Sequence, residues 1–330
     1  MRRSGPLRDA VIGIGVFIAL AVIYAVVDDA FVHDIIIKTC IFSIFALSLN
    51  LLIGYLGLVA FGHAAFFASG AYVFGLFMQS HFVGPDSGWA IPFGILLAML
   101  GSAVLAAAIG AICIRAKTIY FSFLTLAFQM ILYSAILAAV PITGGDQGLM
   151  GGFPKPVFLG IDLTKASHMY MFCAGLAIVS AMIMRQIVES PFGYVLRMLR
   201  DNPDRAAFLG LRVKLYQWIT FVIAGTLASL AGVLQSLLDI GAFPEWAFWA
   251  KSAEPLFMIL LGGMQTFLGP VLGAFIFEVL NAVVTAHTRY YGLVLGGVIL
   301  FFALGLRKGL ADYLWEMVSD RRAAPGKADA

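Results

Sequence analysis

Charged side chains are scarce in this chain of 330 residues. Asp, Glu, Lys and Arg make up 12% of it, whereas 62% of the residues are hydrophobic and the mean hydropathy is +0.97. So few polar groups cannot cover the surface of a water-soluble globule of this length. The composition therefore excludes a soluble fold and predicts an integral membrane protein.

Cysteines are few, and catalytic motifs are missing from the sequence. The three cysteines, Cys40, Cys113 and Cys173, lie in apolar runs, where a free thiol behaves as a small hydrophobic side chain. The sequence has no G-x-x-x-x-G-K-[ST] loop, no paired metal-ligand motif and no nucleophile elbow. We therefore expect a chain that is not an enzyme and that itself binds no metal and no cofactor.

Long apolar runs follow one another along the chain. About 20 helical residues cross the roughly 30 Å hydrocarbon layer of a bilayer. We predict an all-α membrane protein with about ten spans, near 10–27, 35–53, 63–79, 90–113, 119–140, 168–187, 215–239, 252–264, 270–286 and 291–306. The first run is longer than the core of a signal peptide and no cleavage motif follows it, so we expect it to be retained. The run at 252–264 is short and glycine-rich, which leaves a half-span open as an alternative.

The distribution of Lys and Arg predicts how these helices are oriented. Short cytoplasmic loops of membrane proteins carry most of the basic residues. With ten spans and the N-terminus inside, sixteen of the 21 Lys and Arg residues fall on the cytoplasmic side. The other five are Lys38, Lys155, Lys165, Lys251 and Arg289. We therefore predict two cytoplasmic termini, and this topology explains the basic face without a nucleic acid partner.

The most charged segment is the predicted cytoplasmic loop at 188–214. Its second half has the signals of a short capped helix. Asn202 is a favourable N-cap, Pro203 suits the first helical position, and Asp204 lies where the helix dipole favours an anion. Gly210 suits a left-handed C-terminal turn. The sequence therefore predicts a helix that begins after Asn202 and ends before Gly210.

The first half of the same loop, 191–201, predicts another short helix. Arg197 and Arg200 would share one of its faces, because they are three residues apart. Two interpretations are open. The loop is either an ordinary solvated positive-inside segment, or a compact rod with small residues, Ala206 and Ala207, that docks in a groove on another protein.

The loop resembles the cytoplasmic coupling loop of ABC importer permeases, specifically those of the branched-chain amino acid family. The matching positions are Gly193, Leu196, Arg197, Arg200, Asp201, Asn202, Ala206, Ala207, Leu209, Gly210 and Leu211. In that family this loop docks onto a cytoplasmic ATPase. The resemblance implies an ATPase-coupling role for Gly193, Arg197, Arg200, Asn202, Pro203, Arg205, Ala206, Ala207 and Gly210.

The resemblance covers most of the chain, roughly 40–310. Its other blocks are Leu47-Ser-Leu-Asn50 with Gly54, Gly57 and Gly62-His63, then Thr125-Leu-Ala-Phe128, Thr143-Gly-Gly145, and Leu261-Gly-Gly263 with Gly269-Pro-Val-Leu-Gly273. A long outer loop at 141–167 and an additional first helix resemble the M-type of the two homologous permeases in such importers. We therefore expect an ABC importer permease fold, a single transmembrane domain at 1–330 with a cytoplasmic tail at 312–330.

Membership of this family would imply several partners in a bacterial inner membrane. These are membrane lipid, a second homologous permease of the H type, two ATPase subunits of the G and F types that use ATP and Mg²⁺, and a periplasmic substrate-binding protein. The binding protein would supply most of the selectivity and would be received by the outer loops.

Several residues inside the spans are candidates for a translocation pathway. Glycines at 54, 57 and 62 interrupt an apolar stretch, which indicates either a helix break near a pathway or close helix packing. Glu278 shares a polar helical stripe with Asn281, and it is either hydrogen-bonded to a neighbouring helix, protonated, or in contact with substrate. A lone His63 is more often a packing residue than a functional one. The candidate residues are Asn50, Gly54, Gly57, Gly62, His63, Phe67, Gln129, Gln265, Glu278 and Asn281.

Departures from the family pattern leave the substrate open. Gln129 and Gln265 stand where relatives usually have glycine, and two bulky amides would narrow or rewire a pathway. Branched-chain or related amino acids are one expectation, and urea, a short amide or another small polar acid is the alternative within the family. From other classes, an ion-driven secondary transporter with Glu278 as the ion carrier, or a passive channel, stays open.

Overall fold

In the computed structural model, the chain folds as a bundle of helices. The structure describes residues 6–80, 88–150, 152–154, 157, 162–287, 292–294, 296–297 and 300. Its named helices are α1 (Pro6–Val26), α2 (Ala30–Asn50), α3 (Ala64–Met78), α4 (Ala90–Cys113), α5 (Thr118–Ala138), α6 (Val140–Thr143), α7 (Ala166–Glu189), α8 (Pro191–Asp201), α9 (Pro203–Phe208), α10 (Val213–Asp239), α11 (Trp249–Gly262) and α12 (Gly269–His287). A π-helical turn, Leu51–Leu56, continues α2. The predicted all-helical fold class is confirmed for these residues.

Within the described residues, six helices are long and apolar enough to cross a membrane: α2 with its π turn, α4, most of α5, α7, α10 and α12. They coincide with six of the predicted runs. The run at 10–27 forms α1, whose apolar part is shorter. The tail at 312–330 and most of the run at 291–306 lie outside the described residues. The count of ten spans and the cytoplasmic position of both termini stay predictions.

Two of the predicted spans form short helices. The runs at 63–79 and 252–264 correspond to α3 and α11, which contain 15 and 14 residues. At roughly 1.5 Å per residue, each helix is only about 21 to 23 Å long. The half-span considered for 252–264 therefore fits α11 better than a full span does, and α3 has the same character.

A break in the chain connects α2 to α3, as the glycines at 54, 57 and 62 had suggested. The π turn ends at Gly57, which has a left-handed φ of 77° that suits glycine. From there residues 57–63, the re-entrant segment, return alongside α2 to His63, whose imidazole hydrogen-bonds the hydroxyl of Ser48. Ser48 precedes Leu56, the last residue of the π turn, by eight residues. This is about 12 Å along the helix axis at roughly 1.5 Å per residue. Non-helical backbone therefore lies deep inside the bundle.

Side chains of α5 satisfy the backbone of the re-entrant segment. Ser122 donates a hydrogen bond to the Val59 carbonyl at 2.6 Å, and the Gly62 amide donates to the Thr125 hydroxyl at 3.3 Å. A Cβ atom at Gly62 would collide with the carbonyl of Thr125. The helix is thus broken at this stretch, and glycine also allows a close backbone approach, while its place near a pathway stays a prediction.

Small residues let α3 and α10 cross at short range in the centre of the bundle. Ala224 and Ala228 are fully buried, and a Cβ atom at Gly232 would overlap the carbonyl of Phe67. A Cβ atom at Gly70 of α3 would likewise overlap the backbone of Ser229 in α10. These small residues therefore serve close helix packing. Close crossings of this kind replace the hydrophobic driving force that is absent between helices in lipid.

A glycine-lined hairpin joins α11 to α12. A Cβ atom at Gly262 would overlap the carbonyl of Gly269, and one at Gly273 would overlap the carbonyl of Met258. The turn between the helices contains Gly263 with a positive φ of 113°. The glycines at 262, 263, 269 and 273 therefore serve close packing and a tight turn.

The outer loop at 141–167 is described in part. Three of its glycines, Gly144, Gly145 and Gly148, have left-handed backbone angles, and an isolated β bridge joins Leu149 to Ala242. Further along, the Asp162 carboxylate accepts hydrogen bonds from the hydroxyl and amide of Thr164, which hold its pKa below the usual value. The start of this loop is thus a series of tight turns attached to the loop after α10.

We predict that Gly232→Ala destabilises the protein by about 1 to 3 kcal/mol, because the added methyl group overlaps the Phe67 backbone. Thermal unfolding of the purified protein in detergent measures the change. Gly15→Ala in α1 is the matched control, because no atom lies within 4 Å of the added carbon. Equal melting temperatures for the two variants would contradict the assigned helix crossing.

Candidate coupling loop and translocation site

The loop at 188–214 folds as two short helices, as predicted. The Asn202 side chain accepts a hydrogen bond from the Arg205 amide at 2.9 Å, so the predicted N-cap is confirmed. Gly210 has a φ of 84°, and the amide of Leu211 bonds to the carbonyl of Ala206. This is the Schellman arrangement, which satisfies the last carbonyls of a helix. Helix α9 is therefore fixed at both ends by its own sequence.

Helix α8 lies against the membrane helices and binds them through its arginines. Arg200 donates a hydrogen bond to the carbonyl of Gly54 in the π turn at 2.5 Å. Arg197 donates to the carbonyl of Val188 at 2.7 Å, and its guanidinium lies 5.8 Å from the ring centre of Tyr55. Leu196 and Leu199 of α8 are buried. The shared arginine face is therefore directed at this chain.

Gly57 permits the contact between α8 and the π turn. A Cβ atom there would lie 2.8 Å from the Cγ atom of Arg200, and the left-handed backbone already disfavours other residues. Gly54 is equally confined, because its Cβ would meet the side-chain amide of Asn50. Gly57 thus admits Arg200 to the broken end of α2, and Gly54 makes room for Asn50 within the π turn.

The most exposed apolar side chains of the loop lie at the tip of α9. Phe208 is 92% exposed and Leu209 is 69% exposed, and Asp204 and Ala207 line a shallow depression beside Phe208. An almost fully exposed Phe at a helix end is typical of an interaction surface when polar residues surround it. We call Asp204, Arg205, Ala207, Phe208 and Leu209 the α9 tip.

The predicted coupling residues separate into two groups in the structure. Asn202, Pro203, Arg205, Ala207 and Gly210 are exposed on or beside α9. Gly193 and Ala206 are buried, and a Cβ atom at Gly193 would collide with the carbonyl of Val188. The expectation that both Ala206 and Ala207 lie in a groove on another protein needs correction, since Ala206 is covered by this chain.

The sequence interpretation did not include Phe208 among the coupling residues. The signal was present, because an apolar residue follows the polar Pro-Asp-Arg start of a short helix in a charged loop. Its exposure depends on which face of α9 is buried, and that is decided by contacts with the rest of the bundle.

The N-termini of α3 and α11 meet at a polar junction inside the bundle. The backbone amide of Ala64 donates to the hydroxyl of Ser252 at 2.8 Å, and Ser252 donates to Gln129 Oε1 at 2.7 Å. Gln129 Nε2 donates in turn to the carbonyls of Ala247 and Phe248. Both short helices therefore begin at one hydrogen-bonded point that α5 holds.

The glutamines that replace family glycines have different surroundings from those expected. Gln129 is fully buried, and its amide is hydrogen-bonded on both sides, so it connects helices. Gln265 is exposed in the turn between α11 and α12, away from Gln129. The two amides therefore lie in separate places, and their effect on a pathway stays a prediction.

His63 and Phe67 belong to the packed interior. His63 is fully buried, bonds to Ser48 at 2.8 Å and stacks on the ring of Phe45 at 5.5 Å. Phe67 is also fully buried and packs against Phe45 and Trp246. For His63 this agrees with the prediction of a packing residue.

Asn50, Glu278 and Asn281 occupy two separate places. Both polar atoms of the Asn50 amide are buried without a hydrogen-bond partner beside the π turn. Glu278 is 4% exposed in α12, near the opposite end of α2, and Asn281 one turn further on is half-buried. A charge inside a membrane span costs about 2.5 to 3.5 kcal/mol on insertion scales, so Glu278 requires an explanation. Among the described residues, no group of three His, Cys, Asp or Glu side chains is placed to hold a metal ion.

Several apolar helices long enough to cross a membrane, with two short loop helices in contact with the broken end of α2, define a multi-pass membrane protein. The chain belongs to the family described as "Branched-chain amino acid transport system / permease component", whose profile matches residues 31–304. The family predicted from the sequence motifs is confirmed.

Individual relatives agree with this family. The chain is 26% identical to the high-affinity branched-chain amino acid transport system permease protein LivM of Escherichia coli K12, over 84% of this chain and 69% of the relative. It is 26% identical to the probable LivM of Methanocaldococcus jannaschii, over 78% and 82% of the two chains. The autoinducer 2 import system permease protein LsrC of Salmonella paratyphi B is 28% identical over 48% of this chain and 49% of its own. No solved structure is significantly similar to the chain.

We predict that Ser252→Ala destabilises the protein by about 1 to 3 kcal/mol, because the buried amide of Ala64 and one oxygen of Gln129 lose their partner. Thermal unfolding in detergent is the measurement. Ser236→Ala is the matched control: this buried hydroxyl bonds only to a carbonyl of its own helix, which the helix already pairs. A loss of stability no larger than that of the control would show that the junction does not hold α3 and α11 together.

Proposed function

We propose that this chain is one of two permease subunits of an ATP-driven importer for branched-chain or related amino acids in a bacterial inner membrane. Two ATPase subunits below the membrane, a homologous second permease beside this chain and a periplasmic binding protein above it would complete the assembly. The chain itself would hydrolyse no ATP. Family membership and the names of the LivM relatives support this proposal.

The observation that carries the proposal is the contact between α8 and the broken end of α2. In a loop that only carries solvated charges, Arg200 would not need to bond to the carbonyl of Gly54, as it does here. A loop that transmits force needs one surface for its ATPase and another fixed to a movable membrane element. The α9 tip supplies the first surface, and the contact from Arg200 to the π turn supplies the second. π turns within α-helices are often found at functional sites.

The alternative from another class is a secondary transporter driven by an ion gradient. It would use Glu278 as the ion carrier and would need no partner chain. The α9 tip favours the ATP-driven function, because a self-sufficient transporter has no use for an exposed Phe208 and Leu209 beneath the membrane. Uptake that survives loss of the ATPase subunits but collapses with the ion gradient would support the alternative.

We predict that Phe208→Glu lowers co-purification of the ATPase subunits by about 10-fold or more, since a central aromatic anchor carries much of a docking energy. Pull-down of the tagged chain with its neighbouring gene products measures this. Arg115→Glu is a matched control, because it places a Glu at another exposed position of the predicted cytoplasmic side. Retention of the ATPase by the Phe208 variant at the wild-type level would exclude the α9 tip as the docking surface.

We predict a different defect for Arg200→Gln. The variant keeps the α9 tip and should bind the ATPase, but it loses the charge-assisted bond to the Gly54 carbonyl. The amount of amino acid transported per ATP hydrolysed in proteoliposomes should therefore fall by about 10-fold. Arg115→Gln, which changes an exposed arginine outside the loop at 188–214, should leave that ratio unchanged. A wild-type ratio in the Arg200 variant would refute the proposed transmission.

A further inference from the structure

Five ionisable side chains from three helices come together at the end of the bundle opposite the α8–α9 loop. Asp34 and Lys38 belong to α2, Lys251 and Glu254 to α11, and Glu278 to α12. Glu278 is close enough to the other four for electrostatic interaction with each of them. We call these residues the outer charge cluster. The sequence alone did not bring them together, because they lie far apart along the chain.

The cluster contains one carboxylate more than it has ammonium groups. Lys38 pairs with Asp34 at 2.7 Å, and Lys251 pairs with Glu254 at 2.7 Å. Within the residues that the structure describes, Glu278 forms no hydrogen bond and no ion pair, although it is only 4% exposed. The expected alternative of a hydrogen bond to a neighbouring helix is not found among these residues and stays a prediction for the rest of the chain. A buried carboxylate of this kind has unused capacity to accept hydrogen bonds from a cation.

Aromatic rings fix the position of the deeper lysine. The Lys251 ammonium lies 4.5 Å from the ring centre of Phe42 and 5.5 Å from that of Phe67, and the two rings are nearly parallel. The side chain is 13% exposed. An ammonium group has three donors and the pair with Glu254 uses one of them, so Lys251 can still donate to a ligand. A fixed positive group therefore interacts electrostatically with a carboxylate that pairs with none of the described residues.

We propose that Glu278 and Lys251, within the outer charge cluster, bind the charged ends of a zwitterionic amino acid during its passage through the bundle. Glu278 accepts hydrogen bonds from the α-ammonium group, and Lys251 donates to the α-carboxylate. This inference rests on the proposed function and deepens it.

The charges of the cluster distinguish among the substrate classes that the sequence left open. A neutral solute such as urea would leave the carboxylate of Glu278 without a partner. A small anionic acid would be repelled by the excess of carboxylates. A zwitterion matches both the unpaired carboxylate and the neighbouring ammonium.

Equilibrium binding of radiolabelled leucine to the purified assembly, without the periplasmic binding protein, tests this site. Glu278→Gln keeps the shape of the side chain but removes its charge, so leucine should bind about 10-fold more weakly or worse. Asp34→Asn is the matched control: it removes a carboxylate charge from the same cluster, but at a side chain that is 46% exposed and already paired with Lys38. The control should bind leucine within about 3-fold of wild type.

Two leucine analogues separate the roles of the charged ends. Isopentylamine retains the ammonium group without a carboxylate, and 4-methylpentanoate retains the carboxylate without an ammonium group. Isopentylamine should compete with leucine in the wild-type assembly and lose most of this competition in the Glu278→Gln variant. Competition by 4-methylpentanoate should not weaken in that variant.

Leucine binding by Glu278→Gln at the wild-type level would overturn the proposal, and so would an absence of measurable leucine binding by the wild type. Melting temperature and elution profile of each preparation show whether the variant is folded. Co-purified ATPase in the same preparations tests the proposed function separately. If Glu278→Gln binds leucine like the wild type in an assembly that retains its ATPase, the site is refuted but the importer function is not. If the ATPase does not co-purify with the wild type, the importer function itself is refuted.

Discussion

Backbone polar groups that leave a helix inside a membrane must find partners within the protein, and this constraint organises the bundle. The cost of an unpaired amide or carbonyl in hydrocarbon is several kcal/mol. The chain leaves helical structure between Gly57 and His63, and α5 meets this segment with the hydroxyls of Ser122 and Thr125. Ser252 does the same for the first amide of α3. Polar side chains of the spans are therefore concentrated where the backbone requires them.

The same constraint gives Arg200 its position. The carbonyl of Gly54 lies in the last turn before the break, where no further helical turn follows to pair with it. The arginine of α8 supplies a charged donor to this carbonyl from outside the membrane helices. A cytoplasmic helix and a broken membrane helix are thus joined at a backbone group that otherwise would have to be satisfied by water. This makes the π turn of α2 a natural place to receive movement of α8.

The sequence predicted the local features of the molecule better than its contacts. The N-cap at Asn202 and the left-handed turn at Gly210 depend on neighbouring residues only, and both are confirmed. The helix break at 54–62 followed from glycines within an apolar run. The environment of Gln129 was not predictable, because its partners on α11 and in the preceding loop are distant along the chain. The inward direction of Arg197 and Arg200 was missed for the same reason: periodicity shows that they share a face, but not what that face contacts.

The position of Glu278 illustrates the limit of residue-by-residue inference in membrane proteins. A lone carboxylate in α12 has several explanations, and its sequence neighbours do not choose among them. From the sequence alone, Lys38 and Lys251 would be assigned to the outer ends of two different spans. Helix α2 resolves this ambiguity, since it carries Lys38 and Phe42 near one end and the π turn at the other. Because α2 contacts both α8 and the outer charge cluster, one helix links the place where force would arrive with the place where a charged substrate would be held.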